Sequence, residues 1–336
     1  MVSPHDFVGL PLQDLVQALH GIRPHDFGEV TEKLSATRKV VGPRGRTMGD
    51  EPSTSAATCL LPEDASTFLP ATHPEVKIPS VDLGDYLGQG AQGKVYAGVV
   101  RATGLTVAVK VVPHDDNGSG SLAVREALIC SRLRHRNVVR VFDVQQCGAF
   151  WVSIMEMVQG ASIADQVPSP RQMRQCFAQL ADAVSFVSQH EVVHCDIKPA
   201  NILCRQQDGS PVLLDFGVAV DQSLLGEATP LVGGTPLFML PEAFSGGRPE
   251  PSWDAYALGV TAIQVATGAQ AAKTLSFSTW EETRAAKVSG EFSQRLGKLL
   301  EEIPEKGFRL WCRELVLGSR EQRLAALTAA QAWKER

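Results

Sequence analysis

The chain has 336 residues, of which 44% are hydrophobic and 21% charged, and this composition and length suit a globular domain of about 250 residues with an additional segment. Its formal net charge of −5 excludes the broad basic surface of a general nucleic-acid binder. No apolar run approaches the roughly 20 residues that cross a bilayer. We therefore expect neither a nucleic-acid partner nor a membrane span.

The first residues and the cysteines predict a cytoplasmic protein. Residues 1–6 lack the basic start and the apolar stretch of a secretory signal. The seven cysteines are scattered, and no two of them have the C-x-x-C spacing of a zinc site. Reduced thiols in the cytoplasm account best for such a set.

The amino-terminal part of the chain is predicted to be separate from the main domain. We assign residues 1–39 to a short helical segment and residues 40–79, rich in Pro, Ser and Thr, to a low-complexity linker that we expect to be disordered. One apolar helix stripe at i, i+3, i+4 and i+7 is formed by Leu12, Leu15, Val16 and Leu19. The same stripe would serve a helix that packs on the main domain and a helix that docks a partner, such as a secretion apparatus. Both interpretations therefore stay open.

From residue 80 onward, strand patterns come first and helix patterns follow. Extended segments are predicted at 86–98, 106–112, 138–144 and 151–158, with a helix at 121–134. Beyond Gly160 the pattern becomes helical, and its clearest stripe is Met173, Phe177, Leu180, Val184 and Val187. We therefore predict an α+β domain at 80–336, with a small β-rich lobe at about 80–158 and a larger helical lobe at about 159–336.

A glycine-rich turn is the first candidate site. Gly88, Gly90 and Gly93 form a G-x-G-x-x-G pattern, which would open a helix in a dinucleotide-binding fold. Here predicted strands flank it on both sides. A glycine hairpin between strands can fold over phosphates, because bare backbone approaches closely and offers N–H donors.

A lysine in the next strand is the second candidate. Lys110 follows three apolar residues in Val-Ala-Val-Lys, and a charge in such surroundings needs a partner. Glu126, in the helix predicted next along the chain, can supply the opposite charge.

Two polar loops follow in the helical half. Asp196, Lys198 and Asn201 stand at i, i+2 and i+5 between apolar segments, and a loop that places three polar residues there is usually a site. Asp215 comes directly after the apolar run 212–214 and precedes an aromatic residue and a glycine. A carboxylate on such a turn suits a hard metal ion.

Taken in order and spacing, these motifs resemble the signature of the protein kinases over residues 83–333, about three-quarters of the chain. The stretch 233–242, which contains Gly-Thr-Pro and ends in Pro-Glu, is similar to the end of a kinase activation segment. The stretch 253–260 is similar to the helix that anchors the large lobe. Arg323 fits the arginine that pairs with the glutamate of the activation segment, here Glu242.

The resemblance implies a bilobal kinase fold and transfer of the γ-phosphoryl group of ATP to protein hydroxyls. Asp196 would orient the substrate hydroxyl and accept its proton, and Lys198 would steady the γ-phosphate. Lys110 would hold the α- and β-phosphates while Glu126 holds Lys110. Magnesium would be bound by Asn201 and Asp215.

The same resemblance implies an ATP site between the lobes. The three glycines would cover the phosphates, and the adenine would contact apolar side chains and the backbone beside Met155. The implied ATP-binding residues are Gly88, Gly90, Gly93, Val95, Ala108, Lys110, Glu156, Met157 and Leu203. For the apolar members of this set, ordinary core packing is the alternative interpretation.

Five positions bear on specificity and regulation. Lys198 and Thr235 match positions typical of kinases that act on serine or threonine. Cys195 replaces an arginine that reads a phosphate on the activation segment in the family, so we expect activity that does not depend on phosphate at Ser223 or Thr229. The common tyrosine and alanine of the substrate segment are also replaced, by Phe238 and Leu240.

Two other functions share part of this pattern. A kinase-fold scaffold without activity, a pseudokinase, predicts loss of at least one essential side chain, and all four are present: Lys110, Asp196, Asn201 and Asp215. A small-molecule kinase of the aminoglycoside or choline type shares the catalytic loop but lacks the peptide-binding segment found here at 234–242.

Overall fold

The computed structural model describes residues 76–89, 93–113, 119–165, 169–224 and 233–333. The predicted amino-terminal helix and residues 40–75 of the predicted linker lie outside these ranges, as do Gly90 and Thr229. The predicted separation of the amino-terminal segments therefore stays a prediction.

The small lobe is an antiparallel sheet of five strands in the order β1-β2-β3-β5-β4. Along β3, Val107, Val109 and Val111 join the apolar core on the outer face of the sheet. Side chains alternate along a strand, so Ala108 and Lys110 lie on the opposite face. The strands are β1 Val81–Gln89, β2 Lys94–Val100, β3 Thr106–Pro113, β4 Val141–Cys147 and β5 Phe150–Glu156.

One helix, α1 (Ser119–Arg132), packs against strands β3, β4 and β5 of the small lobe. The prediction of a helix at 121–134 is thus confirmed with a shift of two residues. The predicted strand at 138–144 begins later than expected, at Val141. Val138 instead makes a single parallel bridge to Leu213 of the large lobe, and this bridge ties the two lobes together behind the site.

The large lobe is helical and is built around a helix that is buried on most of its surface. This helix, α3 (Pro251–Thr267), has twelve buried residues and is surrounded by its neighbours. Aromatic side chains of α2 and α7 stack beside it, among them Phe177, Phe308 and Trp311. The other helices are α2 Pro170–Gln189, α4 Ala269–Thr274, α5 Trp280–Ser289, α6 Glu291–Glu301, α7 Lys306–Leu317 and α8 Arg320–Ala329.

Within the described residues, five short strands interrupt the helical character that the sequence predicts beyond Gly160. Three form a small antiparallel sheet, β6 (Gly160–Ser162), β8 (Ile202–Arg205) and β9 (Pro211–Leu213). Two more pair with each other, β7 (Val192–Val193) and β10 (Val220–Asp221). Strands β7 and β8 flank the first polar loop of the large lobe, and strands β9 and β10 flank the second, so these pairings fix where the loops begin and end.

The described part of the chain begins on the outer face of the small lobe. Val76 and Ile78 are 9% and 2% exposed and pack into the core that contains Val81, Tyr96 and Val109. The chain thus contributes to the lobe a few residues before the boundary predicted at residue 80. Among the helices in the described ranges, none combines the length and the apolar character needed to cross a membrane.

Candidate active site

A buried cation between two carboxylates joins the lobes. Lys110 Nζ, on β3, lies 3.1 and 2.9 Å from the two oxygens of Glu126 on α1 and 2.8 Å from Asp215 Oδ1. Lys110 and Glu126 are each 5% exposed. The partner that the sequence predicted for Lys110 is therefore in place, and Asp215 is a second one.

The charges in this cluster stabilise one another. Burial acts to lower the pKa of Lys110, but the charges of Glu126 and Asp215 outweigh it and raise that pKa above its ordinary value. Burial acts in turn to raise the pKa of Asp215, and the Lys110 cation outweighs it and lowers that pKa. The cluster therefore holds an ammonium and an aspartate carboxylate at neutral pH, as binding of phosphates and a cation requires.

Backbone geometry sets the position of Asp215. This residue follows β9 with a φ of 59°, an unusual left-handed conformation for a residue with a side chain. The next residue, Phe216, is 1% exposed and packs edge-on against His194 with 4.6 Å between ring centroids. The buried phenyl ring fixes the turn and so keeps the carboxylate at Lys110.

Asp196 accepts five hydrogen bonds, four at its carboxylate and one at its backbone carbonyl. Asp196 Oδ1 accepts from the backbone N of Thr235 at 2.9 Å and from its hydroxyl at 2.7 Å. Asp196 Oδ2 accepts from Lys198 Nζ at 2.7 Å and from Asn201 Nδ2 at 3.0 Å, and the same Asn201 nitrogen donates to the Asp196 carbonyl at 2.8 Å. Lys198 Nζ also donates to Thr235 Oγ1 at 2.7 Å. The loop and the substrate segment thus meet at one carboxylate.

A buried aspartate on α3 supports this loop from below. Asp254 Oδ2 accepts from the backbone N of His194 at 2.6 Å, and its Oδ1 accepts from the backbone N of Cys195 at 2.9 Å. Cys195 has a φ of 66°. Burial raises the pKa of the Cys195 thiol well above its ordinary value, with the nearby Asp254 carboxylate adding to the effect. Cys195 is therefore a protonated structural residue at neutral pH and not a reactive thiolate.

Asn201 and Asp215 fit a magnesium ion by their chemistry and position. The backbone N of Leu214 donates to the Asn201 carbonyl at 2.8 Å, which brings Asn201 beside the turn of Asp215. The Asn201 amide nitrogen is used by Asp196, which leaves its Oδ1 for a cation, and Lys110 occupies Oδ1 of Asp215, which leaves Oδ2. Mg²⁺ commonly takes one or two such oxygens and completes its shell with water and phosphate oxygens.

The glycine turn is described only in part, since Gly90 lies outside the described ranges. A Cβ at Gly93 would stand 2.4 Å from the carbonyl oxygen of Val111, so the close pairing of β2 with β3 excludes any other residue there. A Cβ at Gly88 would meet no atom of the described residues within 4 Å. Close packing of the strands therefore explains why position 93 is a glycine, whereas a ligand could approach the backbone at Gly88.

The residues implied for adenine lie where β2, β3 and β5 meet the large lobe. Val95 pairs with Lys110 and Ala108 pairs with Met155 in the sheet, while Leu203 lies on β8. The backbone N of Glu156 donates to the carbonyl of Arg140 at 2.8 Å. This amide is therefore unavailable to a ligand, which leaves the carbonyl of Glu156 and the backbone of Met157.

The predicted pair between Glu242 and Arg323 is wrong. Within the described ranges, the two side chains form no ion pair, and Glu242 is exposed. Arg323 instead donates to the Leu315 carbonyl at 3.2 Å and lies over the ring of Tyr256, 5.6 Å from its centroid. The guanidinium of Arg323 is instead satisfied by this carbonyl on α7 and this aromatic ring on α3.

Two further contacts were not predicted from the sequence. Arg132, in the last turn of α1, forms an ion pair with Asp221 on β10, and Ser223 donates to the same carboxylate at 2.6 Å. Lys287 on α5 is buried beside the segment that follows Thr235. Neither belongs to a recognisable motif, because each pair joins positions that are far apart along the chain.

Comparison with known proteins agrees with this geometry. The family model for the protein kinase domain matches residues 81–330. The serine/threonine-protein kinase pak-1 of Caenorhabditis elegans is 31% identical over 207 residues, which cover 60% of this chain and 35% of that protein. The serine/threonine-protein kinase PkaA of Streptomyces coelicolor is 33% identical over 210 residues, which cover 55% of this chain and 38% of that protein.

A third relative is the serine/threonine-protein kinase pkn2 of Myxococcus xanthus, 31% identical over 195 residues that cover 54% of this chain and 24% of that protein. The chain thus spans about a quarter to two-fifths of the length of these relatives. The family model covers well over half of the chain, together with both lobes and the site described above. The chain therefore belongs to the eukaryotic-type protein kinase family.

Proposed function

We propose that this chain is an active serine/threonine protein kinase that transfers the γ-phosphoryl group of ATP to hydroxyls of a protein substrate in the cytoplasm. One observation carries the proposal: the two halves of the site are assembled together. Lys110 is joined to both Glu126 and Asp215, and Asp196 is joined to both Lys198 and Thr235.

Phosphoryl transfer depends mostly on positioning and electrostatics, because the charge of the transition state is spread over the transferred oxygens. Asp196 takes the substrate hydroxyl as a hydrogen-bond partner and accepts its proton as the hydroxyl oxygen bonds to the γ-phosphorus. The bond from that phosphorus to the β,γ-bridging oxygen breaks in the same step, and ADP leaves. Lys198 places a cation 2.7 Å from the same carboxylate, where it can meet the γ-phosphate. Lys110 offers a second cation toward the α- and β-phosphates.

Magnesium would be held by Asn201 and Asp215, and when bound it would neutralise the charge of the ATP phosphates. Asn201 has a second task, because its amide nitrogen donates to Asp196 Oδ2 at 3.0 Å and so orients the carboxylate. Lys110 keeps Asp215 ionised, which favours its use as a cation ligand.

A short acceptor hydroxyl fits the contacts around Asp196. Thr235 bridges Asp196 and Lys198 through one hydroxyl, with both distances 2.7 Å, and so draws the substrate segment close to the catalytic carboxylate. A tyrosine hydroxyl lies several ångströms further from its backbone than a serine hydroxyl does. With the substrate segment this close to Asp196, a tyrosine hydroxyl would lie beyond the position from which it can attack the γ-phosphorus in line. Misplacement by about 1 Å can cost roughly 100-fold in rate.

The scaffold alternative is disfavoured by the same geometry. An inactive kinase fold could keep its shape without the bonds from Lys110 to Glu126 and Asp215. It would equally not need the four donors that meet the carboxylate of Asp196. The small-molecule kinase is disfavoured by the segment 233–242, which lies against the catalytic loop through Thr235.

The proposal is tested by incubating the full chain with γ-³²P-labelled ATP, Mg²⁺ and a degenerate peptide library. We expect label in peptide with the wild type and at least about 100-fold less with Asp196→Asn, because the proton acceptor is lost. Transfer by the wild type that Asp196→Asn leaves intact would contradict the assigned role, and absence of transfer by a folded, ATP-binding wild type would favour the scaffold.

A further inference from the structure

A lysine is buried in the large lobe beside the substrate segment. Lys287 on α5 is 2% exposed, and its ammonium donates to the carbonyls of Leu237 at 2.8 Å and Met239 at 2.5 Å and to the hydroxyl of Tyr256 at 3.2 Å. The ammonium also lies 3.8 Å from the ring centroid of Phe292. Within the described ranges, no carboxylate pairs with it.

Such a residue is energetically expensive. Removal from water disfavours an ammonium, and burial accordingly lowers the pKa of Lys287 well below its ordinary value. Its three N–H donors are matched by three oxygens, and the aromatic faces of Phe292 and Tyr256 attract the cation. An apolar side chain would fill the same volume at lower cost, so the hydrogen bonds point to a geometric task.

The two carbonyls identify what is being held. Leu237 and Met239 belong to the turn that follows Thr235, and one ammonium that bridges carbonyls two residues apart fixes the curvature of that turn. The start of the turn is fixed separately, by the bonds from Thr235 to Asp196. Lys287 therefore secures the far end of a segment whose near end is part of the catalytic site.

The position of this segment gives it contact with a substrate. A peptide whose hydroxyl reaches Asp196 has to run beside Thr235, because Thr235 bonds to both Asp196 and Lys198. The residues just after Thr235 then form the surface under the next part of the peptide. The anchor predicted for this region, a pair between Glu242 and Arg323, is not formed, so Lys287 has no such ion pair to share the task with.

We propose that Lys287 is a positioning residue for the protein substrate, which acts by fixing the backbone of residues 235–240 as the surface that receives the peptide beside its acceptor hydroxyl. This inference rests on the proposed kinase function. Lys287 itself touches neither ATP nor the reacting atoms; it acts through the carbonyls of Leu237 and Met239.

The test compares Lys287→Met with Lys298→Met, a matched change of an exposed lysine on α6, in the full chain. The variant loses the hydrogen bonds that hold the carbonyls of Leu237 and Met239, so we expect KM for a peptide substrate to rise about tenfold or more in Lys287→Met. KM for ATP, measured in the same reactions, should change by less than about twofold, because Lys110 and Asp215 are untouched. Lys298→Met should match the wild type in both.

A parallel loss in both KM values and in kcat, tracking a lower melting temperature, would overturn the positioning role and leave a merely structural one. If Lys287→Met does not fold, Tyr256→Phe removes only one of the three acceptors, and we expect it to raise KM for peptide about two- to fivefold with KM for ATP constant. An unchanged peptide KM in that variant would then contradict the proposal. Failure of the kinase function itself is distinguishable, because the wild type would then transfer no phosphate at all.

Discussion

Thr235 donates its hydroxyl hydrogen to Asp196 Oδ1 over 2.7 Å. The same hydroxyl accepts from Lys198 at 2.7 Å, so one side chain closes the substrate segment onto the catalytic loop. We expect Thr235→Ala to lower kcat/KM for a peptide about 10- to 100-fold, since two bonds to charged groups are lost. Thr235→Ser keeps the hydroxyl and should retain most activity. Equal activity in the alanine and serine variants would remove this role of the hydroxyl.

Lys110 is the cation on which the proposed ATP site depends. Lys110→Met removes the ammonium that lies within 3 Å of both Glu126 and Asp215. Two opposite unit charges 4 Å apart attract each other by roughly 4 kcal/mol at an effective dielectric near 20, so the loss of this cation is costly. We expect kcat/KM to fall at least about 100-fold. Lys77→Met, an exposed lysine of the small lobe, serves as the control and should leave the rate unchanged. Near-normal turnover by Lys110→Met would be incompatible with the site assignment.

The ion pair between Arg132 and Asp221 bears on regulation. Through this pair, the carboxylate of Asp221 joins α1 to the start of the activation segment. Other members of the family use a phosphate there, which is bound by the arginine that Cys195 replaces in this chain. We therefore expect phosphatase-treated protein to keep most of its activity. Asp221→Asn should lower kcat/KM about tenfold, because the half-exposed Arg132 loses the buried carboxylate with which it pairs.

Activity that collapses on phosphatase treatment and returns after preincubation with ATP would refute this account of regulation. Asp165→Asn, a change at a residue next to the lobe junction without an ion pair among the described residues, is the matched control for Asp221→Asn.

Val76 and Ile78 predict where the amino-terminal part can be removed. Both are buried against the outer core of the small-lobe sheet, and full burial of such a side chain stabilises a fold by about 1.5–3 kcal/mol. A protein that begins at residue 75 should therefore melt several degrees above one that begins at residue 80, as measured by thermal unfolding. Equal melting temperatures would mean that Val76 and Ile78 add nothing to the lobe.

Much of the site follows from sequence because its residues stand in motifs of fixed spacing. Asp196, Lys198 and Asn201 lie on one loop, and the pairing of Lys110 with Glu126 follows from the order of strand and helix. The contacts of Lys287 do not follow in this way: the helix sequence around it is charged, so the pattern predicts an exposed side chain. Burial of that lysine depends on the carbonyls of a distant segment, which no local pattern contains.

Side-chain pairs between distant elements were the least predictable. The motif positions of Glu242 and Arg323 suggested an ion pair, yet the guanidinium lies on the ring of Tyr256. A motif places two backbones near each other, but which of several neighbours a long side chain selects depends on competing carbonyls and rings. The pair between Arg132 and Asp221 is the converse case, a strong contact at positions without a motif.

The most direct test of the central claim is phosphoamino-acid analysis of an equimolar mixture of peptides that differ only in serine, threonine or tyrosine at the acceptor position. The full chain, γ-³²P-labelled ATP and Mg²⁺ should yield phosphoserine and phosphothreonine, and Asp196→Asn should yield neither. Phosphotyrosine as the main product of the wild type would contradict the claim that Thr235, Lys198 and Asp196 form a site for short hydroxyls.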